Sequence, residues 1–361
     1  MRRMVSYCDW LSRIAALVLG IAGGQSVAMT PKNPDPAPIV IAHRGASGLR
    51  PEHTLAAYDL AIEQGADFIE PDLVPTKDDV LVARHENAIA DTTNVADHPE
   101  FAGRKTSKTI DGQTITGWFV EDFTLAELKT LRAKERLPKL RPANTAYDGR
   151  FEIPTLAEII ALAKRRSAET GRTIGIYPET KHPTYFAGIG HPTDVKLVAE
   201  LREAGWDYAT APVFIQSFEV KNLQRLHTIT KIRLIQLIDG EGGPADGAQP
   251  SYAAMITPVG LKAVAAYAYG IGPNKAMLWA RATPSPLVAN AHAAGLRVHP
   301  WTYRAENMFE PDRFRRGADP AAHGDIAAEI DAGLAQGIDG FFTDFPLYGA
   351  QARDRLRAGV K

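Results

Sequence analysis

The chain has 361 residues, and 45% of them are hydrophobic, which is normal for a globular protein that buries a core. The length suits one large α/β domain or two smaller ones, and the composition argues against disorder over the bulk of the chain. Because the net charge is only −1, the chain has no field that would gather nucleic acid or an anionic membrane. An anionic substrate must therefore be held by local groups.

Residues 1–28 are predicted to be a signal peptide. Arg2, Arg3 and Arg13 precede an apolar stretch from Ile14 to Ala22, and Ser26-Val27-Ala28 resembles a cleavage site. The apolar stretch is too short to span a bilayer, which needs ~20 residues, so an uncleaved anchor is the weaker alternative. We expect cleavage after Ala28, a periplasmic or secreted protein, and no stable insertion into the membrane after cleavage.

The only cysteine, Cys8, lies inside this segment, so the mature chain would have none. Disulfides, a thiol nucleophile and a thiolate metal site are therefore excluded. Residues 29–38 are rich in proline and are predicted to form an extended tether. The folded domain is expected to span residues 39–361.

From Ile39 onward, strand patterns alternate with helix patterns. The nine strand candidates are Ile39–Ala42, Phe68–Val74, Val80–His85, Thr173–Glu179, Val213–Ser217, Lys231–Leu237, Gly270–Gly272, Leu296–Trp301 and Gly340–Asp344. Since this number is close to the eight of a (β/α)₈ barrel, we predict that fold and expect one candidate, near Val80 or Gly270, to be irregular. Residues 87–150 lack this alternation of strand and helix patterns and contain one predicted helix, Thr124 to Ala133, which begins with a capping box to Glu127. We interpret this segment as a functional insertion.

Ionisable residues stand where three predicted strands end: His43-Arg44, Glu70 with Asp72, and Arg84-His85. In a parallel barrel these ends share the face where active sites are built. Glu70 and Asp72 are spaced i, i+2 and would point to the same side, where two carboxylates repel each other unless a cation neutralises them. Without cysteine, carboxylate ligands favour Ca²⁺, with Mg²⁺ as the alternative. A simple salt bridge to Arg44 or Arg84 is the other interpretation.

Glu179 ends a further predicted strand and is a third candidate ligand, with Lys181 pointing alongside it. Three carboxylates with Arg44 and Lys181 suggest a divalent cation and a bound phosphate, although a solvated Glu and Lys after a strand is the alternative. His43 and His85 on the same rim suit the base and the acid that cleavage of a phosphodiester requires.

These residues match a known family. The segments are His43-Arg44-Gly45-Ala46-Ser47-Gly48, Pro51-Glu52-His53-Thr54, Glu70-Pro71-Asp72, His85, Tyr177-Pro178-Glu179-Thr180-Lys181, Phe214-Ile215-Gln216-Ser217-Phe218, His299-Pro300-Trp301-Thr302 and Gly340-Phe341-Phe342-Thr343-Asp344-Phe345-Pro346. Together they resemble the glycerophosphodiester phosphodiesterases over nearly the whole chain from Ile39. The resemblance implies a TIM barrel with a small family-specific insertion. It also implies metal-dependent hydrolysis of glycerophosphodiesters, such as glycerophosphocholine, to sn-glycerol 3-phosphate and an alcohol.

Carried over position by position, the resemblance implies a role for each site residue. The acid/base pair would be His43 and His85, the phosphate holders Arg44 and Lys181, and the metal ligands Glu70, Asp72 and Glu179. A substrate hydroxyl would attack phosphorus to give a cyclic phosphate that water then opens, so no protein nucleophile is needed.

Two further residues, Gln216 and Trp301, are candidate substrate contacts. Gln216 is expected to point toward the site, or to be an ordinary buried amide. Trp301 either stacks on a cationic headgroup or belongs to the core.

The sequence departs from the family at three places. Many members have Asn where this chain has His53, Asp is commoner at Glu86-Asn87, and Ala90-Asp91 replaces an Asp-Arg pair. These departures concern substrate preference. Two other functions stay open: phospholipase D-like hydrolysis of lysophospholipids, and a non-catalytic phosphodiester-binding protein.

Overall fold

A computed structural model describes residues 37–249, 251–281 and 283–359. The predicted signal peptide, residues 1–28, and the tether up to residue 36 lie outside the described residues. Within the part of the chain that is described, no helix is both long and apolar enough to cross a membrane.

Eight parallel strands form a barrel. They are β1 (Ile39–His43), β2 (Phe68–Glu70 and Asp72–Pro75), β3 (Gly175–Ile176 and Glu179–Thr180), β4 (Phe214–Ser217), β5 (Arg233–Ile238), β6 (Gly270–Pro273), β7 (Arg297–Val298) and β8 (Gly340–Thr343). Each strand pairs with the next, and β1 pairs with β8. Asp339 N donates to Val298 O at 2.9 Å and Phe342 N to Pro300 O at 3.0 Å, which joins β7 to β8. The predicted TIM barrel is confirmed.

Each barrel strand is followed by a helix of the outer ring. These helices are α1 (Leu55–Glu63), α2 (Leu156–Thr170), α3 (Thr193–Glu203), α4 (Val220–Ile229), α5 (Pro258–Val264), α6 (Leu287–Ala293), α7 (Ile326–Leu334) and α8 (Pro346–Arg357). Short helices at Pro183–Gly188 and Tyr252–Met255 precede α3 and α5. The Thr54 side chain caps α1 by accepting a hydrogen bond from Ala57 N.

Prolines interrupt two of the barrel strands. The strand predicted at Phe68–Val74 is split at Pro71, and the one predicted at Thr173–Glu179 is split before Glu179, where Pro178 stands. Proline has no N–H to donate to the ladder, so pairing breaks at these points. Both breaks lie directly beside the predicted metal ligands, where the backbone must bend to present carboxylates.

The surplus strand candidate is the one at Val80–His85. Only Leu81–Ala83 is a strand, and it pairs antiparallel with the second part of β2, so it forms a hairpin outside the barrel. Gly270 belongs to a true barrel strand, because it pairs in register with Ile235 of β5 and Arg297 of β7. A Cβ at this position would come within 2.6 Å of the Arg297 carbonyl oxygen. Glycine is therefore required by the close approach of β7.

The barrel interior is filled by an aromatic and aliphatic cluster. It comprises Ile41, Tyr177, Phe214, Ile235 and Phe342. The rings of Tyr177 and Phe214 stack with their centroids 4.9 Å apart, and the Tyr177 hydroxyl bonds to His299 Nδ1 at 2.8 Å. This packed layer closes the interior beneath the strand ends.

Residues 87–150, here called the insertion, have more structure than the sequence indicates. An antiparallel hairpin joins Thr106–Ile110 to Gln113–Gly117. The predicted helix begins after Thr124 with the expected capping box to Glu127, but it ends at Leu128. Apolar side chains such as Phe101 and Trp118 form a second cluster with Val74 and Val82 of the β2 hairpin.

Candidate active site

Five of the predicted site residues meet at the carboxyl ends of four neighbouring strands. His43 ends β1 and is in register with Glu70 at the end of the first part of β2. Asp72 begins the second part of β2 and is in register with Glu179 on β3. Glu179 is in turn in register with Gln216 on β4. The register therefore places these side chains next to one another.

Three buried carboxylates, Glu70, Asp72 and Glu179, form what we call the carboxylate cluster. One oxygen from each lies within 4.8 Å of the others. Burial, assisted by Asp72, raises the pKa of Glu179 to about 8, although Lys181 opposes the shift. Burial and the charges of Asp72 and Glu179 raise the pKa of Glu70 well above its usual value. The cluster is therefore strained by like charges, as expected of a cation site.

The donor set of the cluster suits a hard divalent cation. Gln216 Nε2 donates to Glu70 Oε1 at 3.1 Å, and the buried Gln216 Oε1 has no hydrogen-bond partner among the described residues. Three carboxylates and a free amide oxygen are the ligand types that Ca²⁺ and Mg²⁺ prefer. Gln216 thus points toward the cluster, as one of its two interpretations predicted.

Two cations flank the carboxylate cluster. Lys181 Nζ lies 2.9 Å from Glu179 Oε1. Arg44 has a left-handed backbone, with φ of 59°, that directs its N–H to Glu70 Oε2 at 2.8 Å, and its Nε lies 3.3 Å from Asp72 Oδ2. The salt bridge between Asp72 and Arg44, which was the other interpretation of the carboxylate pair, is therefore present beside the cluster. Arg84 instead donates to the carbonyl oxygens of Glu52 and His53.

His43 and His85, the histidine pair, each place Nδ1 against a carboxylate. The Nδ1 atoms lie 2.6 Å from Asp344 Oδ1 and 2.7 Å from Glu86 Oε1, respectively. Burial and then Arg44 lower the pKa of both imidazoles to about 4, with Lys181 adding to the effect on His85. Because an ionised carboxylate only accepts, Nδ1 of His43 carries the proton and its Nε2 is left as a basic nitrogen. His85 Nδ1 lies between Glu86, which accepts, and Arg136 Nη1, which is a donor at 3.4 Å. Both histidines are therefore neutral at pH 7.

Trp301 has features both of a core residue and of a residue that could contact a substrate headgroup. Its Nε1 donates to Gly272 O at 2.8 Å and its ring meets Phe218 edge-on, as in a core residue. It also lines a cavity of about 470 Å³ together with Arg304 and Met308. A second cavity, of about 320 Å³, is bordered by Glu179 and Lys181.

Several residues around the site were missed by sequence reasoning. His53 Nε2 lies 2.8 Å from Asp72 Oδ2, which gives this departure from the family a contact within the cluster. Glu52 accepts from Arg44 Nη1 at 3.0 Å and lies 3.1 Å from the Nε of Arg136, an insertion residue. The motifs contained Glu52 and His53, but no pattern in the insertion marked Arg136.

Comparison with known proteins decides the family. The model of the glycerophosphoryl diester phosphodiesterase family matches residues 43–348. The chain belongs to this family. A glycerophosphodiester phosphodiesterase of Arabidopsis thaliana is 39% identical over 331 residues, covering 85% of this chain and 84% of the relative. One from Haemophilus influenzae is 31% identical over 371 residues, covering 94% and 96%. The enzyme is therefore a phosphoric diester hydrolase, as predicted.

Solved structures show the same fold. A glycerophosphodiester phosphodiesterase from Agrobacterium tumefaciens superimposes with a TM-score of 0.55 at 22% identity, covering 87% of this chain and 99% of that chain. A phosphodiesterase from Oleispira antarctica, in complex with the product sn-glycerol-3-phosphate, gives 0.59 at 20% identity, covering 88% and 97%.

Proposed function

We propose that this enzyme hydrolyses glycerophosphodiesters such as glycerophosphocholine to sn-glycerol 3-phosphate and an alcohol, and that it requires a divalent cation. The observation that carries the proposal is the carboxylate cluster, whose ligating oxygens lie within 4.8 Å of one another beside two buried cations. The Oleispira antarctica phosphodiesterase, which shares the fold, holds sn-glycerol-3-phosphate, and this supports the proposed product.

Glu70, Asp72 and Glu179 would hold the cation, and we propose Ca²⁺, with Mg²⁺ as the alternative. The oxygen donors and the absence of cysteine from the sequence after Cys8 support a hard ion. When bound, the ion neutralises the cluster and polarises a phosphoryl oxygen.

Arg44 and Lys181 are proposed to hold the other phosphate oxygens. Both are buried, and both lie against carboxylates of the cluster. Once those carboxylates are shared with a cation, the guanidinium and ammonium donors are available to an anionic phosphate. Gln216 would orient Glu70, and Trp301 would border the departing alcohol.

His43 and His85 are proposed as base and acid. Because both imidazoles are neutral at pH 7, one of them can take the proton of the substrate hydroxyl that attacks phosphorus. The other must be protonated to release the alkoxide as the alcohol, and an anionic phosphate beside it favours protonation. The cyclic phosphate left by this step is then opened by water to give sn-glycerol 3-phosphate.

Alanine substitution tests this assignment. His43→Ala and His85→Ala should each reduce release of glycerol 3-phosphate from glycerophosphocholine by about 10²- to 10⁴-fold, which is the usual contribution of general acid–base catalysis. His227→Ala, an exposed histidine on α4, is the matched control and should retain activity. A near wild-type rate in either site variant rejects the acid/base role. Faster turnover of dispersed lysophosphatidylcholine than of glycerophosphocholine would favour a lysophospholipid substrate instead.

We also propose that the enzyme is exported to the periplasm or secreted. The support is the arrangement of arginines, apolar stretch and Ser26-Val27-Ala28 in residues 1–28. Mass spectrometry of the exported protein should find Met29 as its first residue, whereas retention of Met1 would contradict cleavage.

A further inference from the structure

A buried ion-pair network lies behind His43. Asp344, which follows β8, uses one carboxylate oxygen for His43 Nδ1, at 2.6 Å. Its other oxygen accepts from Arg141 Nη2 at 2.5 Å and from Arg304 Nε at 3.0 Å. Asp344 is therefore fully engaged, and its contact with the imidazole is fixed from behind by two guanidinium groups.

Arg141 is the centre of this network, and it comes from the insertion. Its side chain is only 6% exposed, and its Nε donates to Glu306 Oε1 at 2.6 Å. Its Nη1 donates to Ser47 O at 2.9 Å, while the Ser47 hydroxyl donates to the His43 carbonyl oxygen at 2.8 Å. Arg141 thus reaches both the carboxylate that faces the His43 ring and the turn that follows the His43 backbone.

The charges of the network balance without His43. Arg141 and Arg304 are cations, and Asp344 and Glu306 are anions. Burial opposes the charge on Asp344, but Arg304, Arg141 and His43 hold its pKa well below the usual value. An ionised Asp344 accepts a hydrogen bond from the Nδ1–H group of His43. This leaves Nε2 as the nitrogen that can exchange a proton with substrate.

We propose that Asp344 and Arg141 are positioning residues, which hold His43 in one tautomer and one ring orientation. The insertion would then take part in catalysis through Arg141. The inference rests on the acid/base role proposed above for His43. A network that only fastened the insertion to the barrel would support stability, but would not act on turnover through the imidazole.

A double-mutant cycle separates these two roles. Asp344→Asn keeps the shape of the side chain but removes the charge, and we expect kcat on glycerophosphocholine to fall on the order of 10²- to 10⁴-fold with KM within about threefold. In a His43→Ala background the same substitution should lower kcat hardly any further, because the effects of residues that act as one unit are not additive. The inference is overturned if Asp344→Asn retains kcat within about threefold of wild type. It is also overturned if the fold-loss of kcat in the double variant equals the product of the losses in the two single variants. Wild-type activity in His43→Ala itself would instead remove the proposed role of His43.

Arg141 is tested with a matched control in the same insertion. Arg141→Met should lower kcat about tenfold or more at unchanged KM, and Arg141→Lys, which keeps the charge, should recover part of the loss. Arg150→Met makes the same change at an exposed arginine and should leave kcat unaltered. A folded Arg141→Met protein with wild-type kcat contradicts the inference. If Arg141→Met does not fold, Asp344→Asn and Arg141→Lys still decide it.

Discussion

The carboxylate cluster and His43 occupy the same rim of the barrel, but their partners come from different parts of the chain. Glu70, Asp72 and Glu179 lie on the adjacent strands β2 and β3, and the cations beside them come from the end of β1 (Arg44) and the end of β3 (Lys181). His43 instead depends on Asp344, 301 residues away, and through it on Arg141 of the insertion. A charge cluster can thus be built by two adjacent strands of the barrel, whereas orienting the His43 imidazole requires the complete fold.

The largest expected effect concerns the carboxylate cluster. Glu70→Gln removes one negative ligand while keeping the side-chain size, and we expect kcat/KM to fall about 10³-fold, equivalent to about 4 kcal/mol of transition-state stabilisation. Steady-state kinetics with added Ca²⁺ measures it. Glu203→Gln, an exposed position at the end of α3, should have no effect. Activity within tenfold of wild type would mean that the cluster is structural.

A second prediction concerns protons held by the cluster. Because the pKa of Glu179 is raised to about 8 and that of Glu70 is also raised, the cluster holds protons at pH 7 in the absence of a cation. Ca²⁺ binding should therefore release about one proton or more at pH 7, and affinity should increase as pH rises through about 8. Calorimetric titration in two buffers of different ionisation enthalpy measures the release. Binding without proton release would contradict the raised pKa values.

The smallest expected effect concerns the insertion that supplies Arg141. Thr124 caps its helix through the capping box with Glu127, so Thr124→Ala should lower the free energy of unfolding by about 1 kcal/mol. Chemical denaturation measures this loss. Thr109→Ala, at an exposed position in the insertion hairpin, should change stability by less than about 0.5 kcal/mol. Equal losses in the two variants would show that the cap has no special role.

The parts of the fold and site that could be predicted are those encoded by short-range patterns. The i, i+2 spacing of Glu70 and Asp72 placed both carboxylates in the cluster, and alternating strands and helices indicated the barrel. The same patterns could not show that Leu81–Ala83 pairs antiparallel, because an apolar run does not specify its neighbour. They also gave no sign of α8, which begins at Pro346 directly after the last motif.

The remaining parts depend on contacts between distant segments. Asp344 stood inside a recognised motif, but its role became visible only when closure of the barrel brought it to His43. Arg136 and Arg141 lie in an insertion whose apolar residues, such as Phe101 and Trp118, have no regular spacing. Their burial against the barrel is a tertiary property, which local sequence does not specify.

We propose that hydrolysis of glycerophosphodiesters depends on a cation held by the carboxylate cluster. The most direct measurement is release of sn-glycerol 3-phosphate from glycerophosphocholine by enzyme stripped with EDTA and then supplied with Ca²⁺ or Mg²⁺. We predict that stripping reduces the rate to background, and that Ca²⁺ restores it more fully than Mg²⁺. An unchanged rate after exhaustive EDTA treatment would contradict the claim.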